Sequence, residues 1–267
     1  MRKQHKTKVP ALYEQKVKIQ VTMITFLIIG FYLFSMYWTQ EQTPGNFKNA
    51  LFNLTNLFQK FFPPNFRILS SVWKPMADTI QMAIISTTIA ALLTIPLALL
   101  GSRNITPFKP IYFIARASLN LIRLIPEMVL AIVFVGIFGV GVISGVIALI
   151  IFSLGVLSKL ISETIESVNM NSLEAIRASG GGLLQVIFFG LFPQVLPQIT
   201  SFILYVFEVN VRASVVLGLV GAGGIGLMLE RELKFYNYPN VMAIIIVIFV
   251  VVIGIEYMSN KLREALL

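Results

Sequence analysis

Three clusters in this 267-residue chain carry residue types that could do chemistry. Residues 217–232, LGLVGAGGIGLMLERE, place Gly221, Gly223 and Gly226 in the spacing G-x-G-x-x-G, with Gly224 between them. That spacing serves dinucleotides: a backbone without Cβ atoms admits a pyrophosphate to a helix N-terminus, after a strand and about 20 residues before an acidic side chain. Residues 207–213, FEVNVRA, gather Glu208, Asn210 and Arg212. A glutamate and an arginine four apart share one helix face and can pair, while an arginine fork also suits a tetrahedral oxyanion. Residues 123–127, RLIPE, bring together Arg123, Pro126 and Glu127. The proline removes a helix hydrogen bond and bends a helix, and its flanking charges are again four apart.

The elements that hold these clusters follow from composition. The chain is 57% hydrophobic and 12% charged, with a mean hydropathy of +0.83. A soluble domain carries about 25% charged residues, so this chain reads as a membrane protein crossing the bilayer several times. It contains no cysteine, which excludes disulfides, thiolate metal sites and cysteine nucleophiles. Its one histidine, His5, stands in the basic start MRKQHKTK and reads as part of a solvated tail. The net charge of +9 sits beside apolar spans, so membrane orientation accounts for it better than nucleic acid does.

An apolar helix needs about 20 residues to cross a bilayer. Six stretches qualify: 19–38, 76–100, 113–138, 142–161, 196–220 and 241–258. The first reads as an uncleaved anchor, with Tyr32, Tyr37 and Trp38 at an interface. Between it and the second lie Pro44, Gly45, Pro63 and Pro64 as breakers. They bracket NFKNALFNLTNLFQKFF, either an amphipathic helix on the membrane surface or a plain extramembrane helix. Six spans put both termini on one side. The lysines and arginines concentrate in the N-terminal tail, the 101–123 segment, the 162–193 loop and the C-terminus, which places both termini in the cytoplasm. Gly136, Gly139, Gly141 and Gly145 read as close-packing positions between helices. A membrane helix, not a strand, precedes the glycine run, so its spacing reads as a tight turn at the outer end of the fifth span. Either it acts as an outer gate or it is a turn alone.

The segment SETIESVNMNSLEAIRASGGGLLQVIFFGLFPQVLPQ reads as a polar helix, broken at Gly180-Gly181-Gly182, then an apolar helix that stops at Pro193 and Pro197. EAIRASG resembles the EAA signature of ABC-importer permeases: Glu174, Ala175, Gly180 and Pro193 match in spacing, while Ile176, Gly190 and Phe192 depart from it. ADTIQMAIISTTIAALLTIPLAL, LNLIRLIPEMVLAIVFVGIFGVG and FEVNVRASVVLGLVGAGGIG are similar to the phosphonate/phosphite/phosphate permeases of that group, over about residues 62–258.

The resemblance implies an all-α, type I importer fold with six transmembrane helices in the cell membrane. It implies a homodimer of permeases in membrane lipid, two ATPase subunits carrying ATP-Mg, and an extracytoplasmic phosphonate-binding protein, with no cofactor on this chain and no catalysis by it. Residues 76–258 become the transport domain, with a coupling loop at 162–193. The flanks are a basic tail at 1–18, an anchor and extracytoplasmic segment at 19–75, and a tail at 259–267. Glu174 and Ala175 then contact the ATPase, with Gly180 as the turn after them. Two readings of the remaining clusters stay open. Glu208, Asn210 and Arg212 either hold the bundle together or line the pathway, and Arg123 and Glu127 either flank a plain kink or form an inner gate. A permease for another solute, such as methionine, and a stand-alone secondary transporter are the alternatives. An integral-membrane enzyme lacks a nucleophile–base pair or metal cluster.

Overall fold

The computed structural model describes residues 11–38 and 44–266; MRKQHKTK, with His5, lies outside them. The chain divides into two compact units, residues 1–59 and 60–267. In the first, α1 (Ala11–Trp38) includes a 22-residue apolar run, Val17–Trp38. Its helix thus begins inside the expected tail. Phe34 and Trp38 stack one turn apart, with ring centroids 6.0 Å apart. α2 (Pro44–Phe61) takes proline at its first position, where no N–H is needed, so Pro44 starts a helix instead of breaking one.

In the second unit a helical turn at Phe66–Ile68 leads into α3 (Leu69–Leu100), then α4 (Lys109–Arg123), α5 (Glu127–Phe138) and α6 (Val142–Glu166). After them come α7 (Met170–Ala178), α8 (Leu183–Gln185), a π-helical segment Val186–Leu191, α9 (Phe192–Gly218), α10 (Gly224–Lys234) and α11 (Tyr238–Leu266). No strand occurs among the described residues. α3, α6 and α9 form the centre. α3 meets them with Ala83, Ser86, Thr87, Ala90, Ala91 and Thr94, all buried. Side chains this small let backbones approach closely where lipid offers no hydrophobic drive. One apolar cluster fills the end near α7 (Leu157, Ile161, Leu173, Val186, Leu191) and another the end near the glycine run (Met82, Leu130, Leu149, Leu217).

Several expected boundaries are corrected. α3 starts seven residues before the expected Met76, because its first two turns pack on neighbouring helices: Val72 and Met76 are buried with Ile225 and Ile244. The third span is not one helix. α4 and α5 meet at an 85° bend, with Pro126 in extended conformation between them. α5 has 12 residues, about 18 Å of helix, shorter than the roughly 20 residues of an ordinary span. Among the described residues five helices are long and apolar enough to span, or six when the bent pair counts as one.

The expected stop at Pro193 and Pro197 is also wrong. Helix continues from Leu183 to Gly218, because the wider π turn precedes Pro193 and relieves the clash of its ring with the preceding turn. There Gln194 Nε2 donates to the Gly190 carbonyl at 2.7 Å. A further helix, α10, follows the glycine turn, between the fifth and sixth expected spans. Lastly, residues 259–266, expected as a tail, continue α11 as helix.

Candidate functional site

The EAA-like segment forms α7, capped at its start by Asn169, whose side chain accepts from the Asn171 N–H at 3.0 Å. Leu173 is fully buried, and Ile176 packs beside it on the π segment. Glu174 and Ala175 face outward and are exposed. Gly180 adopts φ +91°, the left-handed conformation that ends a helix without a Cβ penalty. Of the four matched residues, Glu174 and Ala175 stand on α7, Gly180 follows its C-cap Ser179, and Pro193 stands in the first turn of α9. Two of the three departures from the pattern touch each other: a Cβ on Gly190 would lie 2.9 Å from Ile176 Cδ1.

The charges of α9 separate by direction. Glu208 lies in the bundle with its side chain 9% exposed, while Arg212 is half-exposed. Arg212 Nη2 donates to Glu208 Oε1 at 2.5 Å, and Arg263 Nη2 of α11 donates to Glu208 Oε2 at 2.8 Å. One buried carboxylate thus serves two arginines, and the three groups carry one net positive charge. Sequence reasoning missed Arg263 because it was assigned to a tail. Its spacing from Ser259, i, i+4 on a continuing helix, was the available signal, and Arg263 Nη2 does approach Ser259 Oγ at 3.3 Å.

Asn210 points elsewhere. It is fully buried; its Nδ2 donates to Thr87 Oγ1 at 2.8 Å, and Ser153 lies 2.7–3.0 Å from its amide. The amide joins α3, α6 and α9 at mid-span. The structure does not bring Arg123 and Glu127 together. They sit on opposite sides of the 85° bend and form no ion pair among the described residues. The break displaces them because i, i+4 proximity requires one continuous helix.

The glycine run turns the chain from α9 into α10. Gly221, Gly223 and Gly224 have φ of +93°, +83° and +66°. Two clamps hold the turn: Ile225 N–H donates to Thr79 Oγ1 at 2.8 Å, and Gly141 N–H donates to the Gly221 carbonyl at 2.9 Å. A Cβ on Gly223 would lie 2.8 Å from Val142 N, and one on Gly226 would run into the Val215 carbonyl oxygen. Of the four other glycines expected at contacts, Gly145 fits, since a Cβ there would strike Met82; Gly136, Gly139 and Gly141 have open space around the position of a Cβ. Beside the turn a cavity of about 360 Å³ opens, with Asp78 and Arg231 on its walls. Among the described residues no group of three potential metal ligands occurs.

The comparisons with known proteins agree with this architecture. In fold, the chain is similar to a protein in the inward-facing structure of the MetNI methionine ABC transporter, with a TM-score of 0.67, 19% identity, and coverage of 76% of this chain and 99% of that one. In sequence, it is 35% identical over 238 residues to the phosphite transport system permease protein PtxC of Stutzerimonas stutzeri, covering 89% of this chain and 86% of the relative. It is 38% identical over 217 residues to the phosphate-import permease protein PhnE of Mycolicibacterium smegmatis, covering 81% of this chain. The match spans 41% of that longer relative. The model of the binding-protein-dependent transport system inner membrane component matches residues 94–259, and this chain, a multi-pass membrane protein, belongs to that family.

Proposed function

We propose that this chain is the permease subunit of an ABC importer that moves phosphonate, phosphite or phosphate across the cell membrane. The observation that carries the reading is the extended similarity to permeases named for phosphite and phosphate. Family membership implies an ATPase, a solute-binding protein and pairing of permeases. We take the finer assembly to be a homodimer with two ATPase subunits, which carry ATP-Mg, and an extracytoplasmic binding protein for the oxyanion. This chain supplies no catalysis and no cofactor. Both termini lie in the cytoplasm, and transport runs by alternating access through the domain at 76–258.

In this scheme α7 is the coupling helix of the 162–193 loop. Glu174 and Ala175 meet the ATPase because they are exposed on its outer face, and Gly180 ends the helix. Arg212 meets the oxyanion. It is half-exposed while Glu208 is not, and its partner carboxylate is already shared with Arg263. A shared carboxylate neutralises each arginine only in part, which leaves enough field to attract an anion and too little to trap it. Asn210 holds the helices that flank this path. Arg123 and Glu127 stand on either side of the bend in the inner half, and Gly221, Gly223, Gly224 and Gly226 form the outer-gate turn.

The test is uptake. The chain, co-expressed with its ATPase and binding protein in a bacterium lacking phosphorus-oxyanion importers, is expected to take up labelled phosphite, phosphate or a phosphonate in an ATP-dependent way. Arg212→Gln is expected to lower that uptake without lowering the amount of assembled complex. Uptake of methionine instead, or transport that follows an ion gradient without the ATPase, would overturn the proposal.

A further inference from the structure

A second basic site lies away from Arg212, at the end of the bundle that carries α7. Two apolar spans finish there, α3 at Leu100 and α6 at Glu166, so this level is a membrane–water boundary. The loop between α3 and α4 is built rigidly across it. Ser102 Oγ donates to the Ala98 carbonyl at 2.6 Å, Thr106 Oγ1 to the Leu99 carbonyl at 2.9 Å, and Asn104 Nδ2 to the Ile165 carbonyl at 2.7 Å. Glu166 accepts from the Arg103 backbone N–H at 3.0 Å and from Arg116 Nη1 at 2.5 Å.

That last pairing decides the local charge. The Glu166 carboxylate is used by Arg116, so the side chains of Arg103, Lys109 and Arg177 have no acidic partner among the described residues. These three cations line one cavity of about 600 Å³, together with Tyr112 and Phe113. From its mouth an apolar strip runs along the outer face of α4: Phe113, Ile114, Leu121 and Leu124 are 64–75% exposed. The opposite face of α4, with Leu119 buried, packs on α6. A helix with one face on protein, one apolar face open and lysine and arginine at its edges has the form of an interfacial helix. Basic pockets at this depth bind anionic headgroups.

We propose that this cavity holds the headgroup of an anionic phospholipid, with its phosphate among Arg103, Lys109 and Arg177 and its acyl chains along the α4 strip. The strip favours a lipid over a free oxyanion, because an inorganic ion uses the three cations and leaves the apolar wall wet. Arg177 belongs to α7, whereas Arg103 stands in the loop after α3 and Lys109 opens α4. A bound headgroup therefore ties the protruding helix to the bilayer, and the rate of coupled transport depends on the anionic lipid fraction. This inference rests on membership of the transporter family and is independent of which solute is carried.

The test uses the complete transporter purified in mild detergent and then reconstituted. Native mass spectrometry with added phosphatidylglycerol is expected to show about one tightly retained lipid per permease chain, against little retention of phosphatidylcholine. Arg103→Ala, Lys109→Ala and Arg177→Ala together are expected to lower that retention about tenfold, with the melting temperature unchanged because none of the three side chains has an ion-pair partner among the described residues. In vesicles, raising phosphatidylglycerol from none to one third is expected to stimulate substrate-coupled ATPase activity in the wild type and not in the triple variant. Unchanged lipid retention by the variant would overturn the proposal. So would displacement of the lipid by millimolar inorganic phosphate, which marks a free-ion site. Loss of ATPase-subunit assembly by the variant in lipid-free detergent would overturn it too, since the cavity would then be a protein interface.

Discussion

Ile176 Cδ1 occupies the space that a side chain on Gly190 would need, 2.9 Å from the position of its Cβ. The two residues are departures from the EAA pattern, where Ala and Ile stand. The large and small partners have exchanged places, so the volume between α7 and the π segment is kept.

Gly190→Ile alone is expected to overfill this contact and to cost about 1–3 kcal/mol, seen as a lower melting temperature and weaker binding of the ATPase subunit. The double variant Ile176→Ala/Gly190→Ile restores the ordinary arrangement and is expected to recover most of both. If the double variant binds the ATPase no better than the single one, the exchange is not a packing compensation.

At the outer end, Thr79→Val keeps the side-chain shape but removes the acceptor of the buried Ile225 N–H. An unsatisfied buried donor costs about 1–3 kcal/mol. The variant is expected to melt lower, and Thr79→Ser to remain near wild type. Equal melting of valine and serine variants would show that the hydrogen bond does not hold the turn.

Asn210→Leu is expected to remove the tie between Thr87 and Ser153 at a cost of about 0.6–1.7 kcal/mol, the range for such bonds inside membranes. A double-mutant cycle with Ser153→Ala measures it. Additive effects would mean that the Ser153–Asn210 contact contributes nothing.

The carboxylate shared by two arginines sets an order of effects. Glu208→Gln leaves Arg212 and Arg263 facing each other in an apolar bundle and is expected to lower the melting temperature most. Arg263→Gln removes one charge-assisted hydrogen bond, worth about 1.5–3 kcal/mol, and is expected to follow. Arg212→Gln, at a half-exposed position, is expected to change stability least and uptake most. A reversed order for uptake, with Arg263 dominant, would move the anion contact from α9 to α11.

Much of this was legible from hydropathy and spacing. The apolar cores of α1, α3, α6, α9 and α11 stand where runs of about 20 apolar residues lie, because the bilayer rewards length and composition directly. The EAA-like spacing located α7 and its glycine stop. What escaped depends on contacts between distant segments. Hydropathy cannot see that α3 begins at Leu69, since its first turns are held by Ile225 and Ile244 and not by lipid. It could not find α10, whose charged residues follow a glycine turn. Pro193 reads as a stop in one dimension and is carried by a π turn in three. Arg263 reads as solvated until α11 is seen to continue, and Arg123 and Glu127 read as neighbours until the chain bends between them.

The uninterrupted helix from Leu183 to Gly218 has a mechanical meaning. Its 36 residues measure about 54 Å, well beyond the roughly 30 Å of hydrocarbon. In the proposed transport cycle it is suited to act as a push rod: one end meets α7 through the π segment, and the other ends in the clamped glycine turn. A thrust received at the foot needs no relay of loops to reach the far face. The π segment, with its looser winding beside α7, is a natural joint for such a rod.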